Sequence, residues 1–311
     1  MNSWTSFLLL LFASLVFSLW LWAKKDRRYQ SSVSVSSAYD SWTEDRLLER
    51  LWGEHVHLGY YSDQKQRIDF REAKADFVHE LIRWSGMDQL PKGSRILDVG
   101  CGIGGSSRIL ARDYGFDVIG ITISPAQAKR ANELTEAGLT CNFEVMDALD
   151  LKFDKGSFDG VWSVEAGPHM PNKQLYADEM LRVLRPGGVL AVADWNARDI
   201  SNGPMTYLEK LVIRQLLDQW AHPEFASIEG FRKNLLNSRF CGSTVETDDW
   251  TLETLPSWME SIWEGFRRPQ AVLGLGLKGL FKGLRETPTM LLMHWAFAKG
   301  LMQFGVFRSR G

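Results

Sequence analysis

The middle of the chain alternates short apolar runs with amphipathic stretches. Helical spacing or a proline at a first helical turn marks residues 106–114, 125–137 and 175–184 as helices. Strands are predicted between them where β-branched and aromatic residues cluster, at residues 95–99, 118–123, 142–147, 158–164 and 189–194. Near-continuous apolar strands that alternate with helices predict a doubly wound α/β fold, with a mostly parallel sheet covered on both faces.

The flanking regions predict helical additions to this sheet. Residues 38–90 form a cap segment that is helical except for a break over residues 53–62, and Phe70, Phe77 and Leu81 recur there at helical spacing. Residues 91–200 form the ligand-binding core. Residues 201–311 are predicted to be a mainly helical, substrate-covering region that returns the last strands to the sheet near residues 244–251 and 301–307.

The N-terminus has the pattern of a membrane anchor. Residues 2–23 carry no charge, and Trp4, Trp20 and Trp22 lie near the two ends of this apolar run. Four basic residues follow at 24–28, which predicts a single-pass anchor over residues 1–23 with the rest on the cytoplasmic face. Residues 24–37 then form a polar, Ser-rich linker. A cleaved signal peptide is the alternative, but the run lacks a basic leader and a small-residue cleavage site.

The composition of the chain argues against several classes of function. A net charge of -2 over 311 residues argues against a nucleic-acid-binding protein. The three cysteines lie far apart, so no disulfide framework and no metal site is expected. Thirteen tryptophans favour a membrane surface or a large apolar ligand.

A glycine-rich loop follows the first predicted strand. Gly100, Gly102 and Gly105 satisfy the pattern GxGxxG between a strand and a helix, which dehydrogenases and methyltransferases share. A dinucleotide enzyme needs a carboxylate at the end of the second strand, where this chain has Thr122. Asp147 instead closes the third strand, where its carboxylate could accept a hydrogen bond from an adenine amino group. This pattern favours an adenosine with an amino-acid tail over a dinucleotide as the ligand.

Two further stretches, residues 158–163 and 184–188, follow the loop in the order typical of class I S-adenosylmethionine-dependent methyltransferases, which the chain resembles. The resemblance implies the class I (Rossmann-like) methyltransferase fold and S-adenosyl-L-methionine as cofactor. The residues implied to bind it are Tyr39, Asp98, Gly100, Cys101, Gly102, Gly104, Gly105, Thr122, Gln127, Asp147, Ala148 and Ser163.

The cap segment resembles that of the tocopherol, sterol and cyclopropane-fatty-acid methyltransferases. Within that group the chain is most similar to the cyanobacterial-type 2-methyl-6-phytyl-1,4-hydroquinone methyltransferases of tocopherol and plastoquinone synthesis. The similar stretches are residues 39–61, 97–131, 161–171, 217–220, 222–231 and 285–307. The γ-tocopherol methyltransferases look like Glu-His where this chain has Pro168-His169, which favours the earlier quinol step.

Methylating a quinol carbon requires a base, because the ring becomes nucleophilic only as its hydroxyl, with a pKa of about 10, loses its proton. The candidates for catalysis are His169, His55, His57 and Glu165. A structural pair is an equal alternative for His55 and His57. The aromatic candidates for contact with the substrate are Trp52, Tyr60, Tyr61 and Trp195.

The resemblance implies a prenylated quinol dissolved in a bilayer as the partner, in a thylakoid or plasma membrane. Apolar and basic residues interleave after Trp258, which predicts either an interfacial helix or a flap over the substrate. The competing functions are a γ-tocopherol or sterol or other lipid carbon methyltransferase, an amine N-methyltransferase and a non-catalytic cofactor sensor. A dehydrogenase is the least favoured.

Overall fold

The computed structural model describes residues 16, 17, 20, 22, 29–63, 68–242 and 244–310. The predicted anchor over residues 1–23 therefore lies almost entirely outside the described residues. Within the described part of the chain, no helix is both long enough and apolar enough to cross a bilayer.

Seven strands form one sheet in the order β3-β2-β1-β4-β5-β7-β6. Strands β1 to β5 pair in parallel, and β7 pairs antiparallel with both β5 and β6. Their bounds are β1 Arg95–Val99, β2 Asp117–Thr122, β3 Cys141–Val145, β4 Phe158–Val164, β5 Leu184–Ala197, β6 Val245–Asp249 and β7 Met302–Arg310. The predicted doubly wound, mostly parallel α/β architecture is confirmed.

Helices of the core connect the parallel strands: α4 (Gly105–Tyr114), α5 (Pro125–Leu134) and α6 (Lys173–Val183). The Ser124 hydroxyl accepts a hydrogen bond from the Gln127 amide at the start of α5, and Asn172 does the same for Leu175 at the start of α6. Apolar side chains on both faces of the sheet are buried, among them the fully enclosed ring of Trp162. The carboxyl ends of β1, β2 and β4 consequently open toward one edge, where ligands of such sheets bind.

The N-terminal cap comprises α1 (Ser32–Glu44), α2 (Leu47–Trp52) and α3 (Phe70–Ser85). The predicted polar linker over residues 24–37 is wrong in its second half, because α1 already begins at Ser32. Val35 is buried and the Ser36 hydroxyl donates to the Ile123 carbonyl at 3.0 Å, so this serine-rich stretch packs on the core as a helix.

Within the described residues of the C-terminal region, six α-helices accompany β6 and β7. They are α7 (Tyr207–Gln219), α8 (Ile228–Asn237), α9 (Thr251–Thr254), α10 (Pro256–Arg267), α11 (Pro269–Leu273) and α12 (Gly276–Ala298). Helices α10, α11 and α12 pack on one another, and α10 also contacts α2 and α3 of the N-terminal cap. The two caps together cover the carboxyl edge of the sheet.

Candidate active site

A cavity of about 390 Å³ lies between the carboxyl edge of the sheet and the two caps. The loop between β1 and α4 forms its floor, while α1, α2, α3, α10 and α12 supply its walls. Most of the residues predicted for the site contribute to this lining, although they come from distant parts of the sequence.

Two glycines shape the floor in ways other residues would not. Gly100 has φ +80°, and a Cβ atom added there would lie 2.4 Å from the Cβ of Ala166. Gly102 has φ +57°, and an added Cβ would meet nothing within 4 Å, so this part of the loop borders open space. The backbone is therefore accessible to a ligand at Gly102.

Asp98 ends β1 below this loop. Its carboxylate accepts a hydrogen bond from the Ser107 hydroxyl, and burial raises the pKa of Asp98 to about 7. A buried carboxyl held at this place is available to a neutral or cationic polar group, whereas it would repel a pyrophosphate.

The ends of β2 and β3 lack the acidic pattern of dinucleotide sites. The Thr122 hydroxyl donates to the Gln127 side-chain oxygen at 2.7 Å, and both residues line the cavity. Asp147 and Ala148 line it beyond β3. The site thus combines an accessible backbone at Gly102, the Asp98 carboxyl under the loop and the neutral Thr122–Gln127 pair. This combination fits S-adenosyl-L-methionine.

The cavity brings together ten of the twelve residues predicted to bind cofactor: Tyr39, Asp98, Gly100, Cys101, Gly102, Gly105, Thr122, Gln127, Asp147 and Ala148.

Gly104 and Ser163, which were also predicted to contact the cofactor, lie outside the cavity lining. An added Cβ at Gly104 would lie 2.3 Å from the Phe143 ring, so this glycine lets α4 approach β3. The Ser163 hydroxyl is buried, donates to the Val99 carbonyl at 2.6 Å and bonds the Tyr176 hydroxyl. Both residues pack the core beneath the site.

His55 and His57 form a pair directly above the glycine loop. Nδ1 of His57 donates to the Leu58 carbonyl at 2.7 Å, so its Nε2 is left as the acceptor for His55 and the Ser106 hydroxyl. Burial lowers the pKa of His57 to about 3 and that of His55 well below its ordinary range. With both ring nitrogens of His57 engaged, this histidine orders the cap over the loop.

Glu165 and Lys74 face the same part of the cavity. Glu165 adopts φ +56°, a left-handed conformation rare for a side chain of its size, and its carboxylate accepts from the Leu58 amide at 2.7 Å. Desolvation raises the pKa of Glu165 to about 8, an effect that the Leu58 amide, Lys74 and Trp195 oppose.

Lys74 was not anticipated from the sequence, because helical spacing identified only its apolar neighbours on α3. Its ammonium donates to the His55 carbonyl at 2.7 Å and lies over the rings of Trp52 and Phe70. Burial lowers the pKa of Lys74 to about 7.

His169 follows β4 in a short 3-10 turn. Its Nε2 bonds the Tyr39 hydroxyl at 2.7 Å, while its Nδ1 has no partner among the described residues. Burial lowers the pKa of His169 to about 3, with the nearby Lys173 adding to the shift. The ring therefore stays neutral at pH 7 and presents one free nitrogen.

Hydrogen bonds with Asp194 and Lys173 fix the turn that carries His169. Asp194 accepts from the Gly167 amide at 3.0 Å, and an added Cβ at Gly167 would overlap the Asp194 carboxylate. Lys173 donates to the carbonyls of Gly167 and Met170, each at 2.7 Å. These contacts fix where His169 lies relative to the glycine loop.

Tryptophans form the wall opposite the glycine loop. Trp195 and Trp258 have ring centroids 5.3 Å apart, and Trp220 stacks on Trp258 at 6.2 Å. Trp195 was predicted, whereas Trp220, Trp258 and the neighbouring His222 were not. Trp258 lies in α10, and Trp220 and His222 lie just after α7. The apolar spacing of the sequence there predicts helix packing and gives no sign of a ligand site.

Of the other predicted substrate residues, Trp52 lines the cavity, and Tyr60 and Tyr61 do not. The Tyr60 ring packs on Trp250 at 5.2 Å. Tyr61 is buried, and its backbone amide donates to the Glu253 carbonyl, which ties the cap to α9. Both predicted substrate residues therefore lie outside the cavity lining.

Across the described residues, no group of three or more His, Cys, Asp or Glu side chains is arranged to hold a metal ion.

Comparison with known proteins gives three results. A family model described as "Methyltransferase domain" matches residues 96–188. The 2-methyl-6-phytyl-1,4-hydroquinone methyltransferase of Synechocystis is 56% identical over 296 residues, which cover 95% of this chain and 93% of that protein. The chloroplastic tocopherol O-methyltransferase of Arabidopsis thaliana is 36% identical over 277 residues, covering 84% and 77%.

Among solved structures, a putative sarcosine dimethylglycine methyltransferase from Galdieria sulphuraria superimposes with a TM-score of 0.72 at 24% identity. The match covers 86% of this chain and 97% of that one. This likeness supports the fold.

Proposed function

Since the chain belongs to the S-adenosyl-L-methionine-dependent methyltransferase family that includes 2-methyl-6-phytyl-1,4-hydroquinone methyltransferase, we propose that it methylates a ring carbon of a prenylated benzoquinol. The acceptor is 2-methyl-6-phytyl-1,4-hydroquinone, its solanesyl counterpart or both, and the reaction serves tocopherol and plastoquinone synthesis.

One observation carries the proposal. A single cavity joins the glycine loop, the free nitrogen of His169 and a wall of three tryptophans. A flat aromatic acceptor fits such a wall, and a polar group on its ring fits the histidine.

The cofactor supplies an electrophilic methyl group when it is bound. The residues of this chain that would hold it are Gly100 and Gly102 through their backbone, Asp98 beside the loop, and Thr122 and Asp147 near the ends of β2 and β3. The His55–His57 pair closes the cap over the same loop and excludes water.

We assign the proton of the acceptor hydroxyl to Nδ1 of His169. Its Nε2 already carries the ring proton and donates to the Tyr39 hydroxyl at 2.7 Å, which keeps the ring oriented. Burial lowers the pKa of the ring when no opposite charge lies beside it, whereas a phenolate formed next to it favours the protonated ring. As this proton leaves the oxygen, electron density moves to the ortho carbon, which would take the methyl group as the bond between that group and the donor sulfur breaks.

The methylated ring carbon must then lose its own proton to restore aromaticity. Glu165 follows β4 on the same loop, and its pKa of about 8 makes its carboxylate, when ionised, a base strong enough to take this proton. We assign the ring proton to Glu165. As the ring regains aromaticity, the oxygen takes its own proton back from Nδ1 of His169, so the reaction releases one proton overall.

We further propose that the protein works at a membrane surface, with the catalytic domain on the cytoplasmic face. The apolar sequence of residues 2–23 supports an anchor. At its end, the Trp22 indole donates to the Thr289 hydroxyl of α12 at 2.7 Å, and Gln219 of α7 donates to the Trp22 carbonyl. The anchor would thus emerge beside the cap.

The cap also exposes apolar side chains. We call Trp263, Phe266, Leu273, Leu277 and Phe281 the apolar rim; they extend from α10, α11 and α12, whose other residues line the cavity. Such a surface supports insertion of the cap into lipid, from which a prenylated acceptor would enter directly.

The test is methyl transfer from labelled donor to a set of acceptors dispersed in vesicles: the prenylated quinols, γ-tocopherol, a sterol, a phospholipid and an alkaloid amine. The proposal expects label in the quinols at a kcat/KM well above the others. Label confined to the sterol, tocopherol or amine would replace it with that function. Cofactor binding without any labelled product would indicate a sensor.

A form lacking residues 1–28 separates chemistry from anchoring. It should bind cofactor normally and methylate quinol in detergent, while its turnover of vesicle-bound quinol falls. Equal turnover in vesicles would contradict the anchoring proposal.

A further inference from the structure

His222 is a buried histidine for which the proposed chemistry has no use. It follows α7, directly after Ala221, and its backbone amide donates to the Leu217 carbonyl at 3.0 Å. Its side chain is only 4% exposed, and it lines the cavity. The sequence around it gives no local reason for a buried imidazole.

Aromatic rings enclose His222. The His169 ring stacks on it with centroids 4.2 Å apart and planes tilted by 30°. Phe225 lies at 5.2 Å and Trp195 at 5.6 Å. The imidazole is therefore held in place by packing, next to the histidine that receives the reacting hydroxyl.

Neither ring nitrogen of His222 has a hydrogen-bond partner within the described part of the chain. The Pro168 carbonyl is close enough to influence the ring, yet it forms no bond of acceptable geometry. Burial and the neighbouring His169 and Lys173 hold the pKa of His222 well below its ordinary value, so the ring is neutral.

Leaving a buried polar group without a partner costs free energy, which a ligand would recover. A neutral imidazole has one donor and one acceptor nitrogen and suits a neutral hydroxyl. The aromatic enclosure favours a hydroxyl that is attached to a flat ring. A quinol has two hydroxyls, and His169 accounts for one of them.

We propose that His222 binds the quinol hydroxyl that stays protonated, and thereby makes the site selective for a diol over a simple phenol. This inference rests on the proposed function. His222 is then a specificity-determining residue, while His169 serves the reaction itself.

The test compares two acceptors in two proteins. One acceptor is the quinol, and the other is the phenol that keeps the hydroxyl next to the reacting carbon but has hydrogen in place of the second one. In His222→Phe, which retains an aromatic ring, kcat/KM for the quinol should fall about tenfold while that for the phenol stays nearly constant. Because each acceptor's kcat/KM in the variant is divided by its value in the wild type, the different intrinsic reactivity of the two acceptors cancels.

Two further variants separate recognition from packing. His222→Gln keeps a donor and an acceptor and should restore part of the preference for the diol. His294→Phe is the matched control: its Nδ1 also lacks a partner among described residues, but it lies outside the cavity lining and should leave the ratio unchanged.

An equal fall with both acceptors in His222→Phe would overturn the inference, because the imidazole would then serve packing alone. If the wild-type protein methylates neither acceptor, the proposed function fails. Binding of the two ligands is then compared by quenching of tryptophan fluorescence. Tighter binding of the diol that disappears in His222→Phe would support the inference, and equal binding by the wild type would overturn it.

Discussion

The sheet and the C-terminal cap treat apolar surface in opposite ways. In β1, β4 and β5 the side chains of Leu97, Val161 and Leu190 are completely buried. On α10 and α12, by contrast, Phe266 is 72% exposed and Leu277 is 73% exposed. The sheet thus buries its apolar side chains inside the protein, whereas the cap exposes some of its own apolar side chains to solvent.

This difference separates two tasks. The sheet fixes a rigid edge on which the glycine loop and the His169 turn are positioned. The cap supplies the tryptophan wall inside and the apolar rim outside. A protein that takes an apolar acceptor from lipid needs both properties at the same cavity.

The largest expected effect is on the sheet side. His169→Asn replaces the imidazole with an amide that cannot take up a proton, so kcat for methyl transfer should fall by roughly 10²–10⁴-fold while cofactor affinity stays constant. Steady-state kinetics and a calorimetric titration with adenosylhomocysteine measure the two quantities. A fall of kcat below about tenfold would mean that His169 does not receive the proton.

The glycine loop gives the next effect. Gly100→Ala would drive a Cβ atom to 2.4 Å from Ala166, on the loop that carries Glu165, so we expect activity to fall about 100-fold and cofactor binding to weaken. Gly138→Ala is the matched control, because Gly138 also has a positive φ, at +91°, but its added Cβ meets nothing within 4 Å. It should cost only about 1 kcal/mol of stability. Equal effects of the two changes would show that the close approach at Gly100 is unimportant.

The cap side is tested at the apolar rim. Replacing Phe266, Leu273 and Leu277 with serine removes three exposed side chains, each able to contribute about 1.5–3 kcal/mol when fully buried. Because insertion at an interface is partial, we expect binding to vesicles to weaken about 10- to 100-fold, with activity in detergent retained. Vesicle co-sedimentation of the form lacking residues 1–28 measures the rim by itself.

The control for this change lies outside the rim. Leu175, Leu236 and Leu252 are also exposed, and their replacement with serine should leave vesicle binding unchanged. If both triple variants lose vesicle binding equally, any exposed apolar residue contributes to binding, and the apolar rim has no special role.

The smallest effect concerns pH. Because the pKa of Glu165 rises from 4.5 to about 8 on folding, the folded protein holds a proton that the unfolded chain releases between these values. Its contribution to stability is complete below pH 4.5 and is lost as pH approaches 8.

Glu165→Gln removes this dependence and keeps a side-chain oxygen for the Leu58 amide. Its stability relative to wild type should rise between pH 5 and 7, by at most about 1.4 kcal/mol per pH unit. Lys74 has a pKa of about 7, below its usual value. It therefore makes the protein more stable as pH rises, but only above about pH 7, outside the range compared here. Urea unfolding at several pH values measures the difference, and a constant difference would show that Glu165 ionises normally.

The sequence predicted the sheet well because each strand is a local apolar run. The predicted strand at residues 158–164 coincides with β4, and the strand predicted at 95–99 coincides with β1. The glycine loop was equally visible, since its pattern requires only neighbouring residues.

The cap was harder to predict because its contacts join distant segments. Nothing near Lys74 or His222 in sequence indicates that both side chains border one cavity. Tyr60 and Tyr61 were predicted as substrate contacts because they are aromatic, yet neither lines the cavity, and the Tyr60 ring packs on Trp250. Serines at 31–37 suggested a linker, although burial of Val35 makes this stretch part of α1.

Methyl transfer to a ring carbon beside the glycine loop can be followed with a prenylated quinol that carries deuterium on the ring carbon to be methylated. Mass spectrometry of the product then shows whether that deuterium is lost. We predict a product that has gained a methyl group and lost the deuterium. A methylated product that retains the deuterium would place the methyl group on oxygen or on the other unsubstituted ring carbon, and either position would contradict methyl transfer to the labelled carbon.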